Sequence, residues 1–453
     1  MTTTAFADFF KNTECVGFLG LGKSNLAILS LLPKGIKVIL RSEAPIRRED
    51  IPRGIKPERI LEGCLAFENP EEKILFLSPS VRRERKELSN IWSAGVAAFS
   101  DFELFLKLNE KPLFSVSGSD GKSTTATLAA SLLSTSRSKV SPIGNIGTPF
   151  VKSLQGRCGK YAVAEISSFS LKYAVPKSQR AVVTNITPNH LNWHTSYEEY
   201  VEAKLSLLDY ADETAISLDD GILLEYGKNK SVFAATSAEK SYKEIRKQIN
   251  ASVFYTSESG FIKRNGEELF PVSMLKRRES HNIKNLLSAL ALTDGYASLE
   301  WQKKVAFEFG GLPHRLEEVA MHGGIRYINS SIDTSPARCA ESLSSFNRNV
   351  IVILGGKGKG CDYKALNKPL SKHARLAVIT GENRKEIYED VRGSTETVVA
   401  EDFEDAVLYA ASVAKEGDTV LLSPASTSYD SFSSFEERGN KFKEIIFDYI
   451  NRH

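Results

Sequence analysis

Two glycine-rich stretches of this 453-residue chain have the residue types of a phosphate-binding loop. The stretch GFLGLGKS (17–24) fits the P-loop pattern G-x-x-x-x-G-K-[ST] at every position, whereas SGSDGKST (117–124) has Val116 in place of the first glycine. Only the second turn is built from small residues throughout, which lets successive backbone N–H groups converge on phosphate oxygens. We therefore expect a nucleotide triphosphate there, with Lys122 at its β- and γ-phosphates and Ser123 offering a hydroxyl to Mg²⁺.

The first stretch predicts a shorter turn. Phe18 and Leu19 have the character of a buried strand, which leaves Gly20-Leu21-Gly22 as the loop, and the dinucleotide pattern G-x-G-x-x-G fails at Asn25. This turn could seat a diphosphate at the start of the following helix. A structural alternative stays open for each stretch: tight strand–helix packing for the first, and a Ser/Gly-rich linker for the second.

Further polar residues follow apolar strands or share a helix face. Glu165 ends the strand in KYAVAEISS, where an acid can hold Mg²⁺, and His190 follows the strand in RAVVTNITPNH, where ligands gather at a sheet edge. Asn282 and Asn285 lie one helical turn apart, where their amides suit adenine, and Arg315 could reach a triphosphate. Each has a structural alternative in isolation, such as a helix N-cap for Asn282.

Alternating strands and helices must position these residues. Strand patterns include CVGFL, IKVIL, PLFSV, KYAVAEISS, VIVILGG, RLAVITG and DTVLLSP, with helical patterns between them. This alternation predicts an α/β fold of parallel sheets with helices on both faces. We expect three domains: a Rossmann-like N-terminal domain (1–100), a central P-loop ATPase-type mononucleotide-binding domain (101–311) and a C-terminal Rossmann-like domain (312–453). The stretch SVFYTSESGFIKRNGEELF predicts a hairpin within the central domain.

The composition is that of an ordinary globular protein. Apolar residues make up 42% and charged residues 25%, and the net charge of +3 gives no indication of nucleic-acid binding. The N-terminus lacks the pattern of a signal peptide, and no apolar run approaches the roughly 20 residues that span a bilayer. The five cysteines are far apart and odd in number, which favours reduced thiols in a cytoplasmic protein: Cys15, Cys64, Cys158, Cys339 and Cys361.

The order of the motifs resembles that of the Mur ligases of peptidoglycan synthesis, over nearly the whole chain. The motifs are GSDGKSTT, GNIGTPF, EISSFSL, NHLNWH, EAKL, HNIKN, GLPHRLE and LSPASTSYDSFSSFEERG. The last motif, with SDFELF before the phosphate loop, is most similar to the family members that add D-glutamate.

The resemblance implies a ligase with ATP and Mg²⁺ as cofactors. ATP would activate the alanine carboxylate of UDP-N-acetylmuramoyl-L-alanine as an acyl phosphate, and the amine of D-glutamate would displace the phosphate. The three domains would bind the UDP substrate, ATP and the amino acid, in chain order. We expect a cytoplasmic monomer without nucleic-acid or membrane partners. Four alternatives stay open. Two are ligases: another Mur ligase, and a folylpolyglutamate-type ligase, although the first 100 residues argue against it. The others are a catalytically inactive nucleotide-binding regulatory homologue and a simple P-loop kinase, against which the third α/β unit argues.

The resemblance also implies roles for individual residues. Catalysis would depend on Lys122, Glu165, His190 and Lys204. Metal ligands would be Ser123, Glu165, His190 and, if it is carbamylated, Lys204. Contacts with ATP would fall on Gly118, Ser119, Asp120, Gly121, Lys122, Ser123, Thr124, Asn282, Asn285 and Arg315. Substrate contacts would fall on Gly20, Gly22, Lys23, Ser42, Asn145, Ser167, Thr334, Lys359, Ser428 and Phe435. Without the resemblance, Lys204 would be taken for a solvated lysine on an amphipathic helix.

Several positions depart from the family pattern. Asp120 stands where asparagine is usual, and Arg41 stands where an acid is frequent. In the stretch INSSIDTSP, Ser330 takes the place of an acid and Ile332 that of a lysine. These last two departures motivate the alternative of a homologue that binds ATP without turning it over.

Overall fold

The computed structural model describes residues 2–43, 45–46, 48, 51–52, 54–63, 70–155, 159–191, 193–358 and 362–452. The chain divides into two compact units, Met1–Phe309 and Gly310–His453. The first unit contains two β-sheets and the second contains one, all with helices between their strands. This architecture confirms the predicted α/β class. Within the described ranges, no helix combines the length and the apolar character needed to cross a membrane.

The N-terminal region of the first unit forms a five-stranded sheet. Its elements are α1 (Thr2–Phe9), β1 (Cys15–Leu19), α2 (Lys23–Leu29), β2 (Lys37–Ser42), β3 (Arg59–Glu62), β4 (Ile74–Leu77), α3 (Ser89–Ser93), β5 (Ala97–Phe99) and α4 (Asp101–Leu108). All paired strands are parallel, in the order β3-β2-β1-β4-β5. Gly17 lies within β1. The turn after this strand is therefore short, as the sequence predicts.

The rest of the first unit is built on a nine-stranded sheet. Its elements are β6 (Leu113–Ser117), α5 (Lys122–Leu133), β7 (Pro142–Gly144), β8 (Ala162–Glu165), α6 (Ser168–Tyr173), β9 (Ser178–Val183), α7 (Tyr197–Asp209), β10 (Ala211–Ser217), α8 (Gly221–Asn229), β11 (Val232–Ser237), α9 (Tyr242–Ile245), β12 (Ala251–Glu258), β13 (Phe261–Arg264), β14 (Glu267–Pro271), α10 (Ser280–Leu292) and α11 (Leu299–Glu308). The strand order is β14-β13-β12-β11-β10-β9-β6-β8-β7.

Two hydrophobic cores cover the two faces of this sheet. One lies under α5 and α10 and the other under α4 and α7, because successive residues of the strands point to opposite faces. The predicted hairpin is confirmed: β13 pairs antiparallel with both β12 and β14. The central strand β6 lies between β8 and β9 and is parallel to both. The carboxyl ends of these three strands therefore meet at one sheet edge.

The second unit has a six-stranded sheet in the order β15-β16-β20-β17-β18-β19. Its elements are β15 (Glu317–His322), β16 (Ile325–Asn329), α12 (Pro336–Ser344), β17 (Val350–Gly355), α13 (Asn367–His373), β18 (Ala374–Thr380), α14 (Arg384–Val391), β19 (Glu396–Val399), α15 (Phe403–Ser412), β20 (Thr419–Leu422) and α16 (Phe435–Arg452). The pair β15–β16 is antiparallel, and the other paired strands are parallel. The prediction of parallel strands is therefore wrong for the pair β15–β16 and holds for the other pairs of this sheet.

Two of the five cysteines, Cys15 and Cys339, are buried free thiols, and burial raises the pKa of Cys339 to about 12. Because the thiolate is the reactive form, this burial makes Cys339 inert. Cys64, Cys158 and Cys361 lie outside the described residues.

Candidate active site

The loop between β6 and α5 forms a cradle at the centre of the nine-stranded sheet. Gly118 and Gly121 both have positive φ, at 142° and 77°, and Gly121 is the N-cap of α5. A Cβ added at Gly118 would lie 1.9 Å from Thr184 Oγ1, and one at Gly121 would lie 2.0 Å from Asn285 Oδ1. The first turn of α5 contains no acidic residue. This turn, which includes Ser123 and Thr124, presents the positive end of the helix to the loop.

The exit of β9 holds this loop from one side. The backbone N–H of Asp120 donates to Asn185 Oδ1 at 2.9 Å, and the Asp120 carbonyl accepts from Thr184 Oγ1 at 2.6 Å and from Asn185 Nδ2 at 3.1 Å. Ser119 donates its backbone N–H to the Asn185 carbonyl at 2.9 Å. The sequence analysis did not single out Thr184 or Asn185, although both stand in the strand-exit stretch that led to His190.

Two lysines converge on a single backbone oxygen of the loop. Lys122 Nζ donates to the carbonyl oxygens of Gly118 and Ser119, at 2.9 and 2.7 Å. Lys204 reaches the same Gly118 oxygen from α7, at 2.6 Å. Its side chain is 2% exposed and lies over the ring of Tyr200, whose hydroxyl is 2.7 Å from Ser119 Oγ. Both helix α7 and the loop are thus fixed around Lys204.

Burial lowers the pKa of Lys204 well below its ordinary value, and the charge of Lys122 lowers it further. The carboxylates of Asp120 and Glu165 act in the opposite direction without overcoming the loss of hydration. The amine of Lys204 is thereby prepared to lose its proton. A neutral amine is a nucleophile, which an ordinary solvated lysine is not near neutral pH.

Glu165 and His190 lie at the same sheet edge. Glu165 is buried as the last residue of β8, in register with Val116 of β6. His190 is exposed and has a positive φ of 56°. Desolvation lowers the pKa of His190, and the positive charges of Lys122 and Lys204 lower it further. The structure therefore brings together all four side chains predicted to act in catalysis.

The side chains predicted to bind Mg²⁺ suit this ion only if further oxygen ligands come from water or a bound phosphate. The predicted metal residues supply a carboxylate, an imidazole and the hydroxyl of Ser123, and Mg²⁺ prefers oxygen donors, several of them from water or phosphate. In the described ranges no three His, Cys, Asp or Glu side chains cluster as a metal site. The residues fit an ion that takes its remaining ligands from phosphate and water.

Asn285 and Asn282 of α10 have different surroundings. Asn285 is buried with its side-chain oxygen against Gly121 of the phosphate loop. Asn282 lies inside the helix, where its Nδ2 donates to Glu279 at 2.9 Å. The N-cap of α10 is Glu279, so the alternative of Asn282 as the N-cap was wrong. A contact of either amide with adenine stays a prediction.

The side chain of Asn25 holds the first glycine turn, Gly20-Leu21-Gly22, through hydrogen bonds. The buried Nδ2 of Asn25 donates to the carbonyl oxygens of Leu19, Gly20 and Phe76, at 3.1, 2.7 and 3.3 Å. Gly20 has a φ of 79°, and a Cβ at Gly22 would lie 3.2 Å from Ser78 Oγ. Asn25 breaks the dinucleotide pattern because it has this packing role. Lys23, at the start of α2, lies beside the same turn.

Arg41 is buried in an ion pair with Glu72. Its Nε and Nη2 approach Glu72 Oε1 to 3.0 and 2.9 Å, and the side chains are 5% and 0% exposed. The positive residue that stands in place of the expected acid is therefore neutralised inside the N-terminal sheet. Ser42 is the last residue of β2. Its contact with a UDP substrate stays a prediction.

A buried carboxylate connects the loop after β7 to α4. Asp101 accepts hydrogen bonds from the backbone N–H groups of Val151 and Phe150, at 2.8 and 3.1 Å. The loop that it holds begins with Asn145, whose N–H donates to the Glu165 carbonyl at 3.2 Å. Ser167 caps α6 by accepting from Ser170 N at 3.1 Å. Asn145 and Ser167 thus flank Glu165.

In the second unit, Arg438 of α16 holds two loops together. It is 2% exposed and donates to Ser331 Oγ and to the carbonyl oxygens of Ser331, Ser426 and Thr427, at 3.0 to 3.1 Å. These loops carry two predicted substrate residues, Thr334 and Ser428. Ser331 Oγ also donates to the carbonyl oxygen of a third, Phe435, which is the first residue of α16. Sequence reasoning missed Arg438, although it stands in the FEERG motif.

The remaining predicted residues have less structural context. Arg315 lies in the second unit, and its N–H donates to the Leu312 carbonyl at 3.3 Å. Lys359 lies outside the described residues. In the altered INSSIDTSP stretch, Ser330 is buried, and the nearby Asp333 is a buried carboxylate that accepts from Ser342 and Ser423, at 2.6 and 2.8 Å.

Comparison with family models gives two matches. Residues 116–293 match the Mur ligase middle domain, and residues 314–426 match the Mur ligase, glutamate ligase domain. The first match contains the phosphate loop, Glu165, His190 and Lys204. The second contains the Ser331–Asp333 region.

Curated relatives match over most of the chain. A UDP-N-acetylmuramoylalanine–D-glutamate ligase from Clostridium tetani is 35% identical over 462 residues, which is 97% of this chain and 98% of the relative. A protein of the same name from Clostridium novyi is 32% identical, over 98% of this chain and 99% of its own length. Another from Ruminiclostridium cellulolyticum is 33% identical, over 82% of this chain and 82% of its own length. Among solved structures, UDP-N-acetylmuramate-alanine ligase from Thermotoga maritima matches with a TM-score of 0.57 at 19% identity, over 97% of this chain and 100% of its own. This last likeness supports the fold.

Proposed function

The chain belongs to the Mur ligase family, and we propose that it joins D-glutamate to UDP-N-acetylmuramoyl-L-alanine at the expense of ATP, in the cytoplasm and as a monomer. The proposal is carried by the placement of Lys204 and Lys122 on one carbonyl of the phosphate loop, beside Glu165. The names of the curated relatives support the choice of D-glutamate. We assign the UDP substrate to residues 1–100, ATP to 101–311 and the amino acid to 312–453.

In the first step, a carboxylate oxygen of the UDP substrate attacks the γ-phosphorus of ATP, and the bond to the bridging oxygen of ADP breaks. Both reactants are anions, so the attack requires positive charge around the γ-phosphate. The loop N–H groups and the start of α5 supply part of it. Lys122, which now donates to its own loop, would exchange those carbonyl oxygens for phosphate oxygens. Mg²⁺, held by Ser123, Glu165 and His190, would offset further negative charge.

In the second step, the amine of D-glutamate attacks the acyl carbon of the acyl phosphate. An amide C–N bond forms, the bond from the acyl carbon to the phosphate oxygen breaks, and the amine releases a proton. The residues assigned to hold D-glutamate are Thr334, Lys359, Ser428 and Phe435. Thr334 and Ser428 lie in the two loops that Arg438 connects, and Phe435 follows the second loop as the first residue of α16.

Lys204 has a separate role in this proposal. A neutral Lys204 amine adds to the carbon of CO₂ and releases a proton, which forms an N-carboxylate. The depressed pKa of Lys204 favours the neutral form that this addition needs. The product replaces a cation next to the phosphate loop by an anion, which suits a metal or a hydrogen-bond donor on phosphate.

Phosphate release tests the proposed function directly. Purified protein is given ATP, Mg²⁺ and UDP-N-acetylmuramoyl-L-alanine, with D-glutamate, L-glutamate, L-lysine or no amino acid. Release that requires D-glutamate supports the proposal. Release with a different amino acid would keep the family and change the substrate. ATP binding without release would favour an inactive homologue and direct attention to Ser330 and Ile332.

A further inference from the structure

A segment of the N-terminal region packs against the loop that carries His190. The bridging segment (residues 80–84) follows β4, and the histidine loop (residues 187–195) connects β9 to α7. Trp193 Nε1 donates to the Ser80 carbonyl at 2.9 Å. The Tyr173 hydroxyl of α6 donates to Glu84 at 2.8 Å and accepts from the backbone N–H of Arg83 at 3.1 Å. Both ends of the bridging segment are therefore fixed to the nucleotide-binding region.

Arg82 makes the central contacts of this junction. Its Nη1 donates to the Trp193 carbonyl at 2.5 Å, and its guanidinium carbon lies 5.2 Å from the centre of the Trp193 ring. Its Nη2 is 3.6 Å from Glu199 Oε2. The Arg82 and Glu199 side chains are 22% and 20% exposed, so the pair is shielded more than a surface ion pair. One side chain thus holds the backbone, the ring and the following helix of the histidine loop.

Trp193 is directly connected to His190. The N–H groups of Trp193 and His194 both donate to the His190 carbonyl, at 2.9 and 3.0 Å, which closes a tight turn. Phe169 contacts both side chains of this turn, with ring centroids 4.3 Å from Trp193 and 4.9 Å from His190. The positive φ of His190 is unfavourable for a residue with a Cβ and persists only where the surroundings enforce it. Arg82 acts on the far end of this turn.

Glu199 extends the same network toward β8. It accepts from Lys172 at 2.6 Å, and it is 3.0 Å from His194 Nδ1. His194 Nε2 is 2.9 Å from the hydroxyl of Ser168, three residues after Glu165. The histidine loop is therefore held at Arg82 on one side and at the end of β8 on the other.

We propose that Arg82 is a positioning residue, which holds the turn at Trp193 so that His190 faces the phosphate loop. The catalytic consequence rests on the proposed function, because it requires His190 to act on the metal or phosphate. The structural consequence is independent of the proposed function, because the orientation of the turn can be measured without substrates. The contacts that the structure describes for Arg82 are with Glu84, Trp193 and Glu199, none of which is assigned to ATP or substrate, so its effect passes through the turn.

The test uses full-length protein labelled with 5-fluorotryptophan, in wild type and in three variants: Arg82→Gln, Arg82→Lys and Arg85→Gln. Arg85 is the matched control, because it lies next to the bridging segment and, among the residues that the structure describes, forms ion pairs with Glu43 and Glu87 of the same region, at 2.6 and 3.7 Å. The protein has three tryptophans, and Trp→Phe variants assign the three fluorine signals. Trp301, whose Nε1 donates to Ser131, serves as the internal reference.

We expect Arg82→Gln to shift or broaden the Trp193 signal and to leave the Trp301 signal unchanged, with Arg82→Lys intermediate and Arg85→Gln like wild type. An unchanged Trp193 signal in Arg82→Gln overturns the proposal, whether or not the ligase reaction is found. Thermal unfolding of each variant identifies a general loss of folding, which would move all three signals together.

If the ligase reaction is confirmed, a double-mutant cycle tests whether Arg82 acts on the reaction through His190. We expect Arg82→Gln to lower kcat by roughly 10- to 100-fold, with a KM for the UDP substrate within about threefold of wild type. Adding Arg82→Gln to His190→Ala should then cause little further loss, because both changes remove one function. Losses that multiply fully would show that Arg82 acts independently of His190 and would overturn the proposal.

Discussion

Lys204 and Lys122 donate to the same atom, the carbonyl oxygen of Gly118, at 2.6 and 2.9 Å. Two amines that share one acceptor lie close together, and two positive charges at that spacing oppose each other. Lys204 is the buried member, and both its burial and the charge of Lys122 lower its pKa well below the ordinary value. This arrangement favours the loss of a proton from Lys204.

The lowered pKa of Lys204 favours a neutral amine, and a neutral amine at this position predicts a reaction with CO₂. In buffer with ¹³C-bicarbonate, wild-type protein should give a carbamate carbon signal that is absent from Lys204→Arg. Lys228→Arg is the matched control, because Lys228 is an exposed lysine paired with Glu225. Lys204→Arg should also lose at least about 100-fold in kcat, since a permanent cation replaces the carboxylate. A carbamate signal that survives in Lys204→Arg contradicts the assignment.

The two glycine-rich stretches should respond differently to loss of their lysines. Lys122→Ala should abolish ATP turnover, because Lys122 follows the loop proposed to hold the triphosphate and donates to its carbonyl oxygens. Lys23→Ala should mainly raise the KM for the UDP substrate, because Lys23 adjoins the short turn of the N-terminal sheet. Steady-state kinetics with ATP and the UDP substrate varied in turn would measure both. The opposite pattern would assign the triphosphate to the first stretch.

The close approach at Gly121 predicts a large effect of a single methyl group. Gly121→Ala would place its Cβ 2.0 Å from Asn285 Oδ1, in addition to the backbone cost of a φ of 77°. We expect calorimetry to show ATP binding that is at least about tenfold weaker. We also expect the folded state to lose more than the roughly 1 kcal/mol that a positive φ alone costs an alanine. Gly295→Ala has the same backbone cost, with a φ of 79°, and no atom within 4 Å. Equal behaviour of the two variants would contradict the proposed crowding.

Asp101 predicts a pH dependence of stability. Burial raises its pKa from 3.8 to about 7 against the opposing effect of its hydrogen bonds to Val151 and Phe150. The folded state then binds a proton more tightly than the unfolded state, so this residue's contribution to stability falls as pH rises from about 4 to 7 and is constant above. With about 1.4 kcal/mol per pKa unit, the total change is a few kcal/mol.

Asp101→Asn should remove that slope, because an amide does not titrate. Its stability relative to wild type should therefore rise between pH 5 and pH 8, even though it loses one of the two acceptor oxygens. Urea unfolding at several pH values measures the difference. Parallel curves for the two proteins would mean that the carboxylate is ionised throughout this range.

Arg438 predicts a combined effect on stability and substrate affinity. Arg438→Lys cannot reach all four acceptors in the two loops and should leave buried carbonyl oxygens unpaired, at a cost of about 1–3 kcal/mol. The same change should raise the KM for D-glutamate more than the KM for ATP. Lys441→Arg on the same helix is the control, because its side chain is 37% exposed and should tolerate the change. An unaltered melting temperature in Arg438→Lys would contradict this account.

Local sequence patterns were sufficient to predict the strands, the short first turn and the hairpin at β12–β13. Those features depend on residues near each other in sequence, such as the buried run that extends through Gly17. The antiparallel strand β15 was not predicted, because its pairing with β16 depends on which sheet edge remains open.

The properties of individual side chains were harder to predict. Lys204 stands on an amphipathic helix like many solvated lysines, and only the packing of α7 against a loop 86 residues away buries its amine. Arg41 is neutralised by Glu72, 31 residues further along. Such pairings require the tertiary structure, which a single sequence does not specify by local pattern.

The position of β6 between β8 and β9 has a consequence for synthesis on the ribosome. Both neighbours of β6 are translated after it, and Asn185, which fixes the lysine-bearing loop, follows Asp120 by 65 residues. At about 5–20 residues per second, several seconds pass before the loop can acquire its final hydrogen bonds. Until β8 emerges, the apolar strand β6 has no partner on either side, and until β9 emerges it has a partner on one side at most. Chaperone capture of the nascent chain should therefore peak between the emergence of β6 and that of β9.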